Sequence, residues 1–344
     1  MKPARIAIVV AGAFAAAAAT SASAQDVTLR IHHFLSAKGT IQAQVLEPWC
    51  AKLGQESGGR IKCQFYPSMQ LGGTPPQLFD QARDGVADII WTIPTYQAGR
   101  FSKSEVFELP FMTMNAETGS PALWDYIHKN SMDEFRGVKL LAAHVHDGSL
   151  LHFSNKRVTT LEEIKSLKVR APTRIGTKFL TAIGAAPVQM PIPQVTEALA
   201  KSVIDGAMVP WEVAPAIKLQ EVTKYHLDTA PGVPKMSNSI FVLAMNPAKY
   251  DGMPADLKKI LDANVGLEFS RHIGKVFDGT TVPGIKIARD AGGVFDTVSA
   301  AEYARWQKAC EPVVADWIAE VGAKGANGKA LYDDARALLK KYGG

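Results

Sequence analysis

Ile61-Lys62-Cys63-Gln64-Phe65-Tyr66, the segment from Thr74-Pro75-Pro76 to Asp84, and Ala87-Asp88-Ile89-Ile90-Trp91 together decide the fold. The first segment reads as a strand stopped by Pro67. Thr74 is placed to cap a helix that begins with two prolines, the position where a missing N–H costs least. The third segment is a second strand. Strand, helix and strand in succession form a βαβ unit, because parallel neighbours need a crossover rather than a tight turn. Upstream, Leu29 to Phe34 alternates like a strand. Gly39 to Ser57 then presents Ile41, Val45, Trp49 and Leu53 on one helical face and ends at Ser57-Gly58-Gly59.

A second set of elements begins near Gly148. Leu151-His152-Phe153, Leu167 to Arg170, Pro187 to Met190, Ile204 to Val209 and Ile240 to Met245 read as strands. Thr173 to Ile183 and Gln194 to Lys201 read as helices. From Pro254 onward the pattern is largely helical, with a long helix from Ala300 to Val321. The expected class is α/β, with two lobes of similar size.

The N-terminus reads as an address. Lys2 and Arg5 precede an apolar run from Ile6 to Ala19, then Ala22-Ser23-Ala24: a cleavable signal peptide. The run is shorter than the roughly 20 residues a membrane span needs. Removing 24 of the 344 residues leaves 320, and losing Lys2 and Arg5 lowers the net charge from +5 to +3. With 47% hydrophobic and 21% charged residues the chain is neither disordered nor polytopic. Its basic residues never run to five in a row, which argues against nucleic acid as a partner. In an oxidising compartment, three cysteines allow at most one internal disulfide. Cys50 and Cys63 are placed to meet, with two buried thiols as the alternative reading.

Catalytic signatures are missing: there is no G-x-S-x-G, no Walker A and no H-E-x-x-H. The histidines His32, His33, His144, His146 and His152 lack a carboxylate or cysteine partner at ligand spacing, so no metal and no cofactor is expected.

The ordered series Tyr66-Pro67-Ser68-Met69-Gln70-Leu71-Gly72, Asp84-Gly85-Val86-Ala87-Asp88, Leu109-Pro110-Phe111, Gly137-Val138-Lys139-Leu140-Leu141, Leu167-Lys168-Val169-Arg170-Ala171-Pro172, Gly184 to Val188, Glu197-Ala198-Leu199, Asp205-Gly206 and Asn246 resembles the solute-binding proteins of TRAP transporters, the DctP type. The resemblance covers nearly all of residues 27–320. Ser166 departs from it, standing where the family often has glycine; the expected consequence is a changed turn.

The resemblance implies a two-lobed periplasmic binding protein, with mixed, mostly parallel sheets and a long C-terminal helix bridging the lobes. Its expected boundaries are 25–148 with about 237–278 for the first lobe and 149–236 with about 279–300 for the second, followed by C-terminal helices over 301–344. Such a receptor closes on an organic acid and delivers it to the small and large membrane subunits of a permease. No catalysis is needed, and a monomer is the default. The resemblance makes Arg170 the carboxylate anchor, since a guanidinium fork fits a carboxylate with two parallel bonds. Arg174 is the runner-up and is expected to face solvent.

The same motif order places Phe34, Trp91, Ile93, Tyr96, Leu150, Ile192, Val209 and Asn238 at the cleft; Trp211 and Glu212, just beyond Pro210, are within reach of the ligand, with Trp211 able to stack on it or pack the hinge. Phe34, Ile93, Leu150 and Val209 are apolar where relatives carry polar groups. Such a cleft leaves the polar groups of a sugar acid or dicarboxylate unpaired, at about 1–3 kcal/mol each. It favours an apolar or aromatic monocarboxylate, such as an aromatic 2-oxo or 2-hydroxy acid. The alternatives are a C4-dicarboxylate receptor, a receptor for another importer or a sensor, and a periplasmic enzyme on the same scaffold.

Overall fold

The computed structural model describes residues 26–344, so the expected signal segment lies outside the described residues. Eleven strands occur among them: β1 (Val27–His33), β2 (Ile61–Tyr66), β3 (Ile89–Thr92), β4 (Lys139–Val145), β5 (Leu150–Phe153), β6 (Lys168–Ala171), β7 (Ala186–Gln189), β8 (Gly206–Val209), β9 (Tyr225–Asp228), β10 (Ile240–Met245) and β11 (Val294–Thr297). They form two sheets, ordered β2-β1-β3-β10-β4 and β11-β9-β5-β8-β6-β7.

The βαβ reading holds: β1 pairs parallel with both β2 and β3, in register from Val27 opposite Ile61 and from Ile31 opposite Ile89. The antiparallel pairs have a single origin. β5 and β10 are the strands laid down after the first two crossings between lobes, and each runs antiparallel to both of its neighbours; β11, which follows the third crossing, pairs parallel with β9. The central strands β3, β5, β8 and β10 are buried along their whole length, whereas the edge strands β2, β7 and β11 are partly exposed.

Two 24-residue helices bind the lobes together. The Leu267–Asp290 helix leaves the first lobe and ends just before β11 in the second. It approaches each lobe at a glycine. A Cβ on Gly274 would lie 2.2 Å from the Ala116 carbonyl oxygen, and one on Gly284 would lie 2.5 Å from that of Trp211. The Ala300–Ala323 helix is capped by Ser299, whose side chain accepts from Glu302 N–H. Trp306 and Cys310 join the core of the second lobe, whereas Val313, Trp317 and Val321 join that of the first. Trp317 Nε1 also donates to the Ser102 carbonyl at 2.9 Å.

Cys50 and Cys63 form a disulfide joining the Glu47–Glu56 helix to β2, and Cys310 is a buried thiol. Ser166 sits in the turn before β6 with φ +62°, a conformation that glycine adopts without strain.

Candidate functional site

The carboxyl ends of parallel strands converge between the sheets, as in other open α/β folds. There the two lobes wall one cavity, with about 360 Å³ of unfilled space including the part open to solvent. The first lobe contributes Phe34 and Leu35 after β1, Trp91 from β3, Ile93 and Tyr96 after it, and Phe241 from β10. The second contributes Arg170 from β6, Pro172, Ile192 after β7, and Pro210, Glu212 and Val213 after β8. His146, Ser149 and Ser239 come from the crossings.

Arg170 reaches the cavity because β6 alternates. Val169 and Ala171 point into the core of the second lobe, and Arg170 takes the opposite face. Its Nε donates to the Met190 carbonyl at 2.9 Å and its Nη1 to the Met208 carbonyl at 2.7 Å. These bonds tie the guanidinium to the strands on both sides. Tyr96 lies beside it, and the Tyr96 hydroxyl accepts from Ile192 N–H at 3.3 Å across the cleft. Arg170 is only 2% exposed, and no carboxylate among the described residues forms an ion pair with it. Burial lowers the affinity of the guanidinium for its proton, yet arginine stays charged. A buried cation without a counterion is costly, so the cavity is built for an anion.

The opposite wall is aromatic. Phe34 stacks on Trp91 with ring centroids 4.9 Å apart, and Trp91 stacks on Phe241 at 4.8 Å. Trp91 Nε1 donates to His144 Nε2 at 2.8 Å, and His144 Nδ1 donates in turn to the Val145 carbonyl. The indole N–H is thereby satisfied within the protein. Burial drives the His144 ring down to about 3, so it is neutral. Behind the site, Glu108 accepts from the Thr95 hydroxyl at 2.5 Å and from Ile240 N–H at 3.1 Å; burial pushes its carboxyl up to about 8.

Of the ten residues expected at the cleft, Phe34, Trp91, Ile93, Tyr96, Arg170 and Ile192 line the cavity. Leu150, Val209, Trp211 and Asn238 do not, and that part of the expectation is corrected. Leu150 and Val209 are cross-strand partners in the packed interior. Trp211 stacks on Phe295 and contacts His152 and His226 edge-on. Asn238 ties the crossing together, donating to the Thr113 hydroxyl and the His146 carbonyl. In each case the neighbouring residue lines the cavity instead: Ser149, Pro210, Glu212 and Ser239. A one-residue offset in extended chain turns a side chain to the other face. Arg174 is corrected too. It is half-buried and pairs with Glu105 of the first lobe at 3.0 Å and with Glu320 of the bridging helix at 2.5 Å. Phe241 was missed because Ile240 to Met245 is apolar on both faces and carries no alternation signal.

The chain was also compared with known proteins. Residues 31–320 match the family model described as bacterial extracellular solute-binding protein, family 7. A TRAP solute-binding protein from Rhodoferax ferrireducens T118, solved in complex with copurified benzoate, is 42% identical, with a TM-score of 0.90 over 92% of this chain and 98% of that one. A marine metagenome TRAP solute-binding protein specific for aromatic acid ligands, solved with 3-hydroxybenzoate, is 40% identical, with a TM-score of 0.91 over 93% of this chain and all of that one. The outer membrane transporter protein TsaT of Comamonas testosteroni is 23% identical over 94% of this chain and 95% of its own. The fold, the two-lobed cavity and these matches lead to one assignment: the chain belongs to bacterial extracellular solute-binding protein family 7, the TRAP-type receptors.

Proposed function

We propose that this receptor captures an aromatic monocarboxylate between its lobes and delivers it, outside the cytoplasm, to the small and large membrane subunits of a TRAP permease. The observation that carries this reading is Arg170, a buried cation with no ion-pair partner among the described residues, facing a stacked aromatic wall. The carboxylate supplies the missing counterion. The ring lies against Phe34, Trp91 and Phe241 and gains about 25 cal/mol for each Å² of apolar surface buried. Ile93, Tyr96 and Ile192 close the remaining sides. Arg170 is the only lysine or arginine among the lining residues, so a C4-dicarboxylate lacks a second cation. The ligands named for the two solved relatives, benzoate and 3-hydroxybenzoate, support the same class.

Ligand binding to both walls stabilises the closed state by differential affinity, which is how a receptor signals occupancy. A thermal-shift panel of aromatic monocarboxylates and C4-dicarboxylates tests the reading. Stabilisation by benzoate-type acids and none by succinate or malate is expected; the reverse pattern overturns it.

A further inference from the structure

The cavity has a larger neighbour. Past Phe34 and Leu35, the gap between the lobes opens into a second chamber with about 820 Å³ of unfilled space, including the part open to solvent. The same loops of the second lobe wall both spaces. Ile192 lines the inner cavity and Pro193 the outer chamber; Val213 lines the inner and Ala216 the outer. Among the described residues, Phe34 and Leu35 alone line both. They form a septum across one continuous gap.

The septum is held firmly. Phe34 and Leu35 follow the end of β1 and are 4% and 6% exposed. Their backbone is pinned on both sides. The His33 carbonyl accepts from Met69 N–H at 3.1 Å, and the Leu35 carbonyl accepts from Ser68 N–H at 2.8 Å. Ser68 and Met69 make these bonds with φ of +51° and +60°, a left-handed conformation that is costly for a residue with a Cβ. The Phe34 ring is fixed in turn, stacked on Trp91 at 4.9 Å and tilted against Tyr96 at 5.9 Å. An apolar space of about 150 Å³ takes one benzene ring. The inner cavity, about 360 Å³ with its solvent-open part, therefore suits one ring and its carboxylate. A second ring finds room past the septum, where Phe34 stands in its way.

We propose that Phe34, with Leu35, sets the length of the ligand: the pair closes off the outer chamber and holds the receptor to acids of a single ring. This rests on the aromatic-monocarboxylate reading above and deepens it.

Calorimetry with benzoate, biphenyl-3-carboxylate and biphenyl-4-carboxylate tests it, on the wild-type protein and on the variants Phe34→Ala and Leu35→Ala. The wild type should bind benzoate about tenfold or more tightly than either biphenyl acid. In whichever variant keeps the wild-type circular dichroism spectrum, at least one biphenyl acid should gain about tenfold or more, while benzoate weakens through lost apolar contact. Adding Ala216→Phe to that variant fills the outer chamber. It should cancel the gain and leave benzoate at the single variant's affinity. A wild-type protein that binds a biphenyl acid as tightly as benzoate overturns the proposal. So does a folded variant that gains nothing, or a gain that survives Ala216→Phe in a folded double variant. Absence of wild-type binding to all three acids instead contradicts the broader reading.

Discussion

Arg170 concentrates the chemistry of the site in one side chain. Its two bonds to the Met190 and Met208 carbonyls fix the guanidinium but do not neutralise it, so affinity depends on what the ligand brings. Arg170→Ala should weaken binding of an aromatic acid by about 2–5 kcal/mol, the cost of leaving one member of a buried charge pair alone. Calorimetry measures this, with circular dichroism to confirm folding; unchanged affinity would place the anchor elsewhere. Arg170→Lys should recover only part of the loss, because an ammonium cannot reproduce the planar fork. The residue scale is also where the sequence is hardest to read. Arg170 sits inside a strand with a distinctive motif and was legible. Ser149, Pro210 and Ser239 were each missed by a single position, because nothing in one sequence fixes which face of a crossing segment meets the cavity.

Among the elements, the strands and helices of the first βαβ unit were readable because their apolar periods are clean and their ends carry Pro, Gly or Thr. The short strands β9 and β11 were not, for each spans four residues and gains its strand character from its neighbours, β9 from β5 and β11, and β11 from β9. The Leu267–Asp290 helix was read only as general helicity, because Pro283 interrupts its pattern. Its close approach to the first lobe is testable. Gly274→Val should destabilise the fold by about 1–3 kcal/mol through overpacking against the Ala116 backbone, measured by urea unfolding. The Cys50–Cys63 link closes a 13-residue separation, and removing it as the double alanine variant should cost about 2–4 kcal/mol. Neither cysteine lines the cavity, so ligand affinity should be unchanged; a loss of affinity would mean that the outer helix shapes the site.

At the scale of the whole molecule, closure is set by contacts that cross between the lobes. Arg174 grips Glu105 with two bonds, at 3.0 and 3.1 Å, and Glu320 with a third. Burial makes the Glu105 carboxyl costly to ionise, even beside Arg174, so the pair orients the lobes more than it stabilises them. Glu105→Gln should therefore speed ligand dissociation several-fold in stopped-flow tryptophan fluorescence, with little change in melting temperature; an unchanged rate would remove the pair from the closing mechanism.

The molecule also carries an acid sensitivity. Burial depresses His33 and His226 to about 4, and His144 and His146 to about 3, against 6.5 for an exposed ring. The unfolded chain binds more protons at these sites, so their contribution is intact above pH 6.5 and is lost as pH falls toward 3–4. Glu108 acts in the opposite sense, its contribution intact below pH 4.5 and lost as pH rises toward 8. Melting temperature should therefore fall as pH drops from 6.5 to 4, with the histidines outweighing Glu108. A melting temperature that rises over that interval would contradict the burial of neutral imidazoles.

The central claim is one arginine holding one carboxylate against an aromatic wall. The most direct test is a crystal structure of the protein grown with benzoate. The carboxylate should lie within about 3 Å of the Arg170 guanidinium, with the ring between Phe34, Trp91 and Ile192 and the lobes closed around it. A carboxylate bound away from Arg170, or a ring outside the cavity, would contradict it.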